Sequence, residues 1–371
     1  MKLGFLRPLY RRDGGYVSVY LDTSRAEESA AQAVGLRWRA ARDRLAGAGA
    51  DAATLDAAGA VLTDAQQAPP GRAVFACAGE VVFTAALPAP PRREITRVAR
   101  LPHLMPLLAQ QPPQPPHLRV SATRGGGDVL AVTAAGSAWE SEAGRREWPV
   151  HKVKSGGWAQ AQHQRSAEEA WEDNARDLAE RVTAAAREVQ PERIIIAGDA
   201  RARALLLRHL SRPLQALVST VEQEIPVDSP AVAEAADRVL AKEADQVCRE
   251  RFDHWRTQAV HGPGVEGLAA TVTGLADGQV SELFLADRPT SAAAAWIGPA
   301  ATELAVTEAQ LRERGVERPA CERADAAIVR AAAATDAELR FLPEDLVTGD
   351  QPGSTRPQDG ICAILRYPPT G

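Results

Sequence analysis

Apolar residues recur with two different periods along the chain, and these periods predict alternating strands and helices. Alternating apolar positions at 16–21 and 118–122, and the fully apolar run 194–197, are typical of strands. Apolar residues spaced three and four apart predict helices, of which the clearest covers 166–190 and places Trp171 on its apolar side. Alternation of strands and helices favours an α/β fold.

Proline and glycine divide this pattern into three predicted domains. The proline-rich stretch 88–116 is typical of an extended, semi-rigid linker. The segment Gly-Pro-Gly-Val-Glu-Gly at 262–267 is interpreted as a second linker, because the dinucleotide-binding fingerprint it resembles needs a preceding strand. We therefore predict a small α/β domain with its linker over 1–115, a middle domain over 116–260 and a C-terminal α/β domain over 261–371.

Composition narrows the classes of protein that the chain can belong to. Its 371 residues suffice for two or three domains, and a net charge of −5 argues against a generally basic nucleic-acid coat protein. No apolar stretch has the length of a membrane span or a secretory signal. The four cysteines, at 77, 248, 321 and 362, form no metal-binding spacing. These features predict a cytoplasmic protein with reduced thiols, without a metal or cofactor and without a membrane partner.

Positive charge is concentrated near the middle of the chain. Only four lysines occur among 43 basic residues, and two of them, Lys152 and Lys154, lie in one short segment. The stretch 145–165 carries five basic residues and one acidic residue, whereas 166–180 carries one basic and six acidic residues. A local patch of this kind is what a protein with net negative charge needs in order to contact a polyanion.

The segment 145–165 is accordingly the predicted RNA-binding site. Paired glycines let the backbone approach a ligand closely, flanking cations suit phosphate groups, and an exposed aromatic ring suits an unstacked base. The predicted contact residues are Arg145, Arg146, His151, Lys152, Lys154, Ser155, Gly156, Gly157, Trp158, Gln160, Gln162 and Arg165. The alternative is an ordinary turn before a helix whose start is signalled by the capping box Ser166 and Glu169.

The order of these motifs resembles that of a known family. The Gly156-Gly157 segment leads into the predicted helix 166–190, then come the strand Glu-Arg-Ile-Ile-Ile-Ala-Gly at 192–198, the helix 322–329 and the closing strand 360–367. Over about 117–371 this is similar to the archaeal and eukaryotic class-one release factors and Pelota, and above all to their bacterial release-factor-like relatives, which include the hibernation factor Balon. The resemblance implies a ribonuclease-H-like middle domain and a C-terminal domain like the kink-turn-binding ribosomal proteins. It also implies that the middle-domain loop enters the ribosomal A site, with escort by a translational GTPase such as elongation factor Tu.

The chain departs from the release-factor pattern at the residue that hydrolysis requires. The Gly-Gly-Gln motif of release factors places a glutamine directly after the glycines, but Trp158 stands there and the nearest glutamine is Gln160. The first hypothesis is therefore a ribosome-binding factor that occupies the A site in hibernation, stress or rescue without hydrolysis, contacting ribosomal RNA and the tRNA end and no DNA. The second is a peptidyl-tRNA hydrolase that uses Gln160, and the third is a protein-interaction scaffold.

Nuclease activity is not expected from the predicted middle domain. A nuclease on a ribonuclease-H-like fold needs clustered carboxylates to hold two metal ions. The predicted hairpin at 118–133 offers only Asp128.

Overall fold

The computed structural model describes residues 1–12, 14–24, 30–64, 69–110, 114–133, 138–142, 157–221, 230–287, 293–348 and 356–368. The strands are β1 (Tyr16–Asp22), β2 (Gly71–Cys77), β3 (Glu80–Leu87), β4 (Ile95–Ala99), β5 (His117–Thr123), β6 (Gly126–Val132), β7 (Ala138–Glu142), β8 (Arg193–Gly198), β9 (Val218–Thr220), β10 (Gly264–Glu266), β11 (Val280–Leu285), β12 (Ala294–Ile297), β13 (Leu304–Ala305), β14 (Ala320–Arg323), β15 (Glu338–Phe341) and β16 (Ile361–Leu365). The α-helices are α1 (Ala30–Gly47), α2 (Ala52–Thr63), α3 (Met105–Gln110), α4 (Gly157–Val189), α5 (Ala200–His209), α6 (Arg212–Gln215), α7 (Pro230–His261), α8 (Leu268–Ala276), α9 (Glu308–Glu313), α10 (Ala324–Thr335) and α11 (Glu344–Thr348). Short 3-10 helices cover Gly4–Arg11 and Gln358–Gly360.

The chain folds into two compact units. One, the middle unit, spans 113–247, and the other, the terminal unit, combines 1–112 with 248–371. The predicted division into three domains with boundaries near 115 and 260 stays a prediction.

The middle unit is built on one mixed sheet. Its strand order is β7-β6-β5-β8-β9, in which β5, β6 and β7 are antiparallel neighbours while β8 and β9 run parallel to β5. Counted within the unit this order is 3-2-1-4-5, with α4 between the third and fourth strands, as in a ribonuclease-H-like fold. The predicted α/β class is thus confirmed. Leu178, Val182 and Ile196 are buried in the core between α4 and the sheet.

Helix α4 begins earlier than predicted. The capping box places its start at Ser166, but the helix starts at Gly157, so Ser166 lies inside it and the capping-box prediction is wrong. Alanine, glutamine and arginine dominate 159–165, and these residues have high helix propensity, so nothing interrupts the helix there. The helix is 33 residues long, or about 50 Å at 1.5 Å per residue.

The N-terminal part of the terminal unit is an antiparallel sheet of order β3-β2-β1-β4. One face carries Val17, Val19 and Leu21, which pack with Trp38 and Leu45 of α1. Strand β4 and helix α3 lie inside the proline-rich stretch 88–116, so the interpretation of that whole stretch as an extended linker is wrong. The prolines flank β4 rather than interrupt it, as a strand requires.

The C-terminal part of the terminal unit contains two further sheets, of order β10-β16-β11-β15 and β13-β12-β14. Strand β10 pairs antiparallel with β16, so the segment 262–267 is not simply a linker as predicted. The last turns of α7 pack against this sheet through Phe252 and Trp255, whose rings stack with centroids 5.1 Å apart. Among the described residues no helix is long and apolar enough to cross a membrane.

The N-terminal and C-terminal parts of the terminal unit share one hydrophobic core. Leu6 and Phe75 from the first part and Leu283 and Leu339 from the second belong to the same buried cluster. Side-chain contacts that join the two parts include Arg7 to Asp336 at 2.7 Å, Arg97 to Glu322 at 3.3 Å, and His103 Nε2 to Asp325 Oδ2 at 3.6 Å. The first residues of the chain therefore pack with the last third of it, which no local sequence pattern indicates.

All four cysteines lie in the described part of the chain, and none of them forms a disulfide. Cys77, Cys248 and Cys362 are buried and Cys321 is exposed. Burial raises the pKa of Cys362 far above that of a free thiol, which makes it less reactive. In the native protein we expect a single thiol to react quickly with an aromatic disulfide reagent, and four to react after denaturation. A Cys321→Ser variant that keeps a fast-reacting thiol would contradict this assignment.

Candidate nucleic-acid interface

The predicted RNA-binding residues fall at and before the start of α4. Those that lie outside the described residues are Arg145, Arg146, His151, Lys152, Lys154, Ser155 and Gly156. Those that lie on the first turns of α4 are Gly157, Trp158, Gln160, Gln162 and Arg165. The backbone of this second group is helical, and their side chains are outside the described part. The structure therefore attaches the predicted site directly to a helix instead of to a free loop over 157–165.

The acidic stretch 166–180 is matched by basic residues of the neighbouring helix. Arg201 of α5 pairs with Glu168 at 3.0 Å, and Arg208 pairs with Glu172 at 3.2 Å. The ring of His209 also lies 2.8 Å from Glu172. Because α5 supplies cations to α4 at this level, the acidic charge there is partly neutralised within the middle unit. The acidic residues of 166–180 are therefore not available only to the basic residues of 145–165.

The carboxyl ends of β5 and β8 carry an ion-pair network. Asp199 follows β8 and caps α5, accepting hydrogen bonds from the backbone N–H groups of Arg201 and Ala202. Its carboxylate also lies 3.1 Å from the Arg124 guanidinium. Partial burial alone would raise the pKa of Asp199, but these hydrogen bonds and the Arg124 charge outweigh burial and hold the pKa below its usual value.

Trp171 lies at the centre of this network. The guanidinium carbons of Arg124 and Arg201 lie 4.9 Å and 5.1 Å from the centroid of its ring, within cation–π distance. Asn174, one turn further along α4, donates a hydrogen bond to the backbone carbonyl of Arg124 at 3.0 Å. We call Trp171, Arg124, Arg201 and Asn174 the Trp171 clamp. The sequence predicts a buried Trp171, whereas the structure leaves it half-buried between two arginines.

At this end of the sheet, two glycines lie very close to the backbone of β5. Gly198 has a φ of +110°, and a Cβ there would lie 2.1 Å from the carbonyl oxygen of Ala122. A Cβ at Gly127 would lie 2.0 Å from the carbonyl oxygen of Ser121. Only glycine fits at these two positions, because any side chain would displace β5. The available sequence signal for this geometry was a glycine near the start of β6 and another at the end of β8.

In the described part of the chain, the same end of the sheet offers no cluster of metal ligands. Asp128 lies on β6 opposite Ser121, and Asp199 is already occupied by an arginine and two backbone N–H groups. Among the residues that the structure describes, no three His, Cys, Asp or Glu side chains come together in a way that could hold a metal ion. Asp199 thus caps α5 and holds Arg124, and the described residues assemble no ligand set for two-metal chemistry.

Comparison with known proteins identifies a family that the middle unit resembles. Residues 116–261 match the family model described as bacterial archaeo-eukaryotic release factor family 2. The middle unit is thus a release-factor-like domain. This match over the middle unit agrees with the resemblance that the motif order predicted, and the narrower Balon type stays a prediction.

Relatives with similar sequences extend over nearly the whole chain. Two uncharacterized proteins of Mycobacterium tuberculosis, MT2704 of strain CDC 1551 / Oshkosh and Rv2629 of strain ATCC 25618 / H37Rv, are each 26% identical over an alignment of 373 residues. The alignment covers 98% of this chain and 96% of each relative. Among solved structures, the archaeal translation termination factor aRF1 is 14% identical over 98% of this chain and 97% of its own, with a TM-score of 0.27. Pelota of Archaeoglobus fulgidus is 13% identical over 81% of this chain and 80% of its own, with a TM-score of 0.36.

Proposed function

We propose that the protein is a ribosome-associated translation factor that places the segment 145–165 in the A site without hydrolysing peptidyl-tRNA. The observation that carries this proposal is the release-factor family match over 116–261, which includes Gly156-Gly157, combined with Trp158 where the release-factor pattern requires glutamine. Because of the family match we expect a binding site on the ribosome, and because Trp158 replaces the glutamine we expect no catalysis there.

Charge supports RNA as the ligand of this segment. Five basic residues and one acidic residue lie between 145 and 165, in a chain whose net charge is −5. Phosphate contacts of this kind bind through counterion release, so their strength falls steeply with salt concentration. A tryptophan among them can add base stacking, worth about 1–3 kcal/mol per base.

The helical backbone over 157–165 argues against Gln160 as the hydrolytic residue. In an α-helix, two residues correspond to a rise of about 3 Å and a rotation of about 200°. Gln160 thus lies about 3 Å along the axis from Trp158 and on another side of α4. Catalytic geometry tolerates displacements of only about 1 Å, so Gln160 does not replace the glutamine of Gly-Gly-Gln.

The partners in this proposal are ribosomal RNA, the acceptor end of tRNA, and a translational GTPase such as elongation factor Tu. The setting is hibernation, stress or rescue of ribosomes, because a factor that occupies the A site without releasing the peptide blocks elongation. Pull-down of tagged protein from growing and starved cells would measure which GTPase accompanies it and when.

Removal of two lysines tests the proposed RNA contact. We expect the double variant Lys152→Gln/Lys154→Gln to bind purified ribosomes more weakly, and its log affinity to fall less steeply with log salt, by about two units of slope. The matched control is Lys2→Gln/Lys242→Gln, which removes the other two lysines, both exposed, and should bind like wild type. Sedimentation binding assays at several salt concentrations measure both quantities.

Three outcomes would contradict the proposal. Absence of the wild-type protein from ribosomal fractions of starved cells would exclude ribosome association. Equal salt slopes for the two lysine variants would exclude this segment as the phosphate contact and favour an interaction scaffold. Release of peptide from peptidyl-tRNA–ribosome complexes by wild type and not by Gln160→Ala would establish a hydrolase.

A further inference from the structure

Helix α4 is attached to the middle unit by contacts of two kinds. From Leu178 onward it packs through apolar side chains, of which Leu178, Val182 and Ala185 are fully buried. Nearer its start, between Glu168 and Asn174, the attachment is polar and consists of the Trp171 clamp and the ion pairs to α5. Of these two kinds of contact, the clamp is therefore the one nearer to Gly157, the first residue of α4.

The clamp ties α4 to two separate elements at one level. Arg124 belongs to the turn between β5 and β6, and Arg201 belongs to the first turn of α5. Each arginine contacts the Trp171 ring and also a carboxylate, Asp199 at 3.1 Å for Arg124 and Glu168 at 3.0 Å for Arg201. Asn174, 7% exposed, adds a hydrogen bond to the Arg124 backbone. Since the turn and α5 both follow strands of the sheet, the clamp fixes α4 in direction as well as in position.

Distance along the helix amplifies any change at the clamp. Gly157 lies 14 residues before Trp171, which corresponds to about 21 Å of helix. A tilt of about 10° at Trp171 would move Gly157 by roughly 4 Å over that length. A contact that needs placement to about 1 Å would be lost by such a tilt.

We infer that the Trp171 clamp is a positioning device that sets the direction in which α4 presents its first residues and the Gly156-Gly157 segment. Its residues act through the helix and do not touch RNA themselves. The geometric part of this inference is independent of the ligand, while its consequence for binding rests on the proposed function. Both arginines keep more than half of their side chains exposed, at 52% for Arg124 and 57% for Arg201, so direct RNA contact is the alternative to be tested.

The direct test measures the direction of α4 in the full chain. Spin labels are attached at Ala161→Cys on α4 and Ala204→Cys on the exposed side of α5, in a Cys321→Ser background that removes the exposed native thiol. We expect a narrow distance distribution for the intact clamp. Trp171→Leu and Arg124→Gln/Arg201→Gln should shift or broaden it by several ångströms, and Trp171→Phe, which keeps an aromatic ring, should restore most of the narrow distribution.

The control variant is Arg176→Gln. Arg176 lies on the same helix, and its ion-pair partner among the described residues is Asp173, three residues before it, at 2.8 Å, with both side chains about half exposed. Its removal should leave the distance distribution unchanged. If Trp171→Leu fails to fold, the arginine double variant still tests the inference. An unchanged distribution in that folded variant would overturn it.

Ribosome binding separates positioning from direct contact. If the clamp positions the helix, its variants bind ribosomes at least several-fold more weakly while the salt slope stays that of wild type, because the phosphate contacts are the same in number. If Arg124 and Arg201 contact phosphate, the slope falls by about two, and the inference is wrong. Should wild type not bind ribosomes at all, the proposed function fails, and the label distances still decide the inference on positioning.

Discussion

Replacement of Gly127 by alanine is expected to destabilise the middle unit by about 3 kcal/mol or more. A Cβ at this position would lie 2.0 Å from the Ser121 carbonyl oxygen and 3.0 Å from Leu178 Cδ2. Neither atom can move freely, because Ser121 is paired within the sheet and Leu178 is buried in the core. Strands β5 and β6 would therefore have to separate, which breaks the ladder that Asp128 and Ser121 share. Urea denaturation, combined with hydrogen exchange of the β5 amides, measures the loss.

The control for this prediction is Gly125, which lies two residues before Gly127 in the turn between β5 and β6. The nearest atom to a Cβ at Gly125 is Thr123 Oγ1, 3.9 Å away, which is an ordinary contact distance. We expect Gly125→Ala to change stability by no more than about 0.5 kcal/mol. Equal losses for the two variants would show that loss of any glycine in this hairpin destabilises the unit, and that the close approach of Gly127 to β5 has no special role.

Periodic segments were predictable from the sequence because their own residues determine them. Strands β5, β6 and β8 and the body of α4 follow from local alternation or from three- and four-residue spacing. The strand β4 was missed because five residues between prolines carry little periodic signal, and its pairing with β1 joins positions about 80 residues apart. The start of α4 was misplaced because a serine and a glutamate three residues apart fit a capping box equally well inside a helix.

The association of the chain ends had no local signal. Met1 and Leu339 exchange backbone hydrogen bonds, and Arg7 contacts the end of α10, more than 320 residues away in sequence. Only the complete fold brings such residues together. The separate N-terminal and C-terminal domains suggested by composition thus rest on one shared core in the structure.

The candidate site was predictable in one part and not in another. Charge and glycine content single out 145–165 directly, since both are visible in a short window. The Trp171 clamp unites residues of the β5–β6 turn, α4 and α5, which become neighbours only through the strand order of the middle sheet. Trp171 itself fits the apolar stripe of α4, so spacing alone predicted burial and could not reveal its two arginine partners.

Asp325→Asn is expected to cost the terminal unit about 2 to 3 kcal/mol at pH 7. Asp325 lies in the first turn of α10, and its side chain is 17% exposed. It accepts hydrogen bonds from Arg323 at 2.5 Å and from the backbone N–H of Ala326 at 2.7 Å. The variant keeps the shape of the side chain and removes the charge, which leaves Arg323 without its carboxylate partner. Its effect should appear as faster hydrogen exchange in α10 and in the segment around His103.

The pH dependence of this loss follows from the direction of the pKa shift. Burial alone would raise the pKa of Asp325, but contacts with His103 and Arg323 outweigh it and hold the pKa well below its usual value. Ionised Asp325 therefore stabilises the folded protein above the unfolded-state pKa of about 4, and this contribution is lost as the pH falls through the lower folded-state pKa. The difference between wild type and Asp325→Asn should be constant near neutral pH and shrink in strong acid.

Asp336→Asn provides the matched control at the other end of the same helix. Asp336 caps α10 with a φ of +57°, a left-handed conformation that asparagine adopts readily, and its side chain is 69% exposed. Its ion pair with Arg7 is a surface pair, so its removal should cost less than about 1 kcal/mol. Two outcomes would contradict the prediction: equal destabilisation by Asp336→Asn and Asp325→Asn, or an Asp325→Asn loss that does not shrink in acid. Either one would show that the buried Asp325 carboxylate does not stabilise the junction between the two parts of the terminal unit.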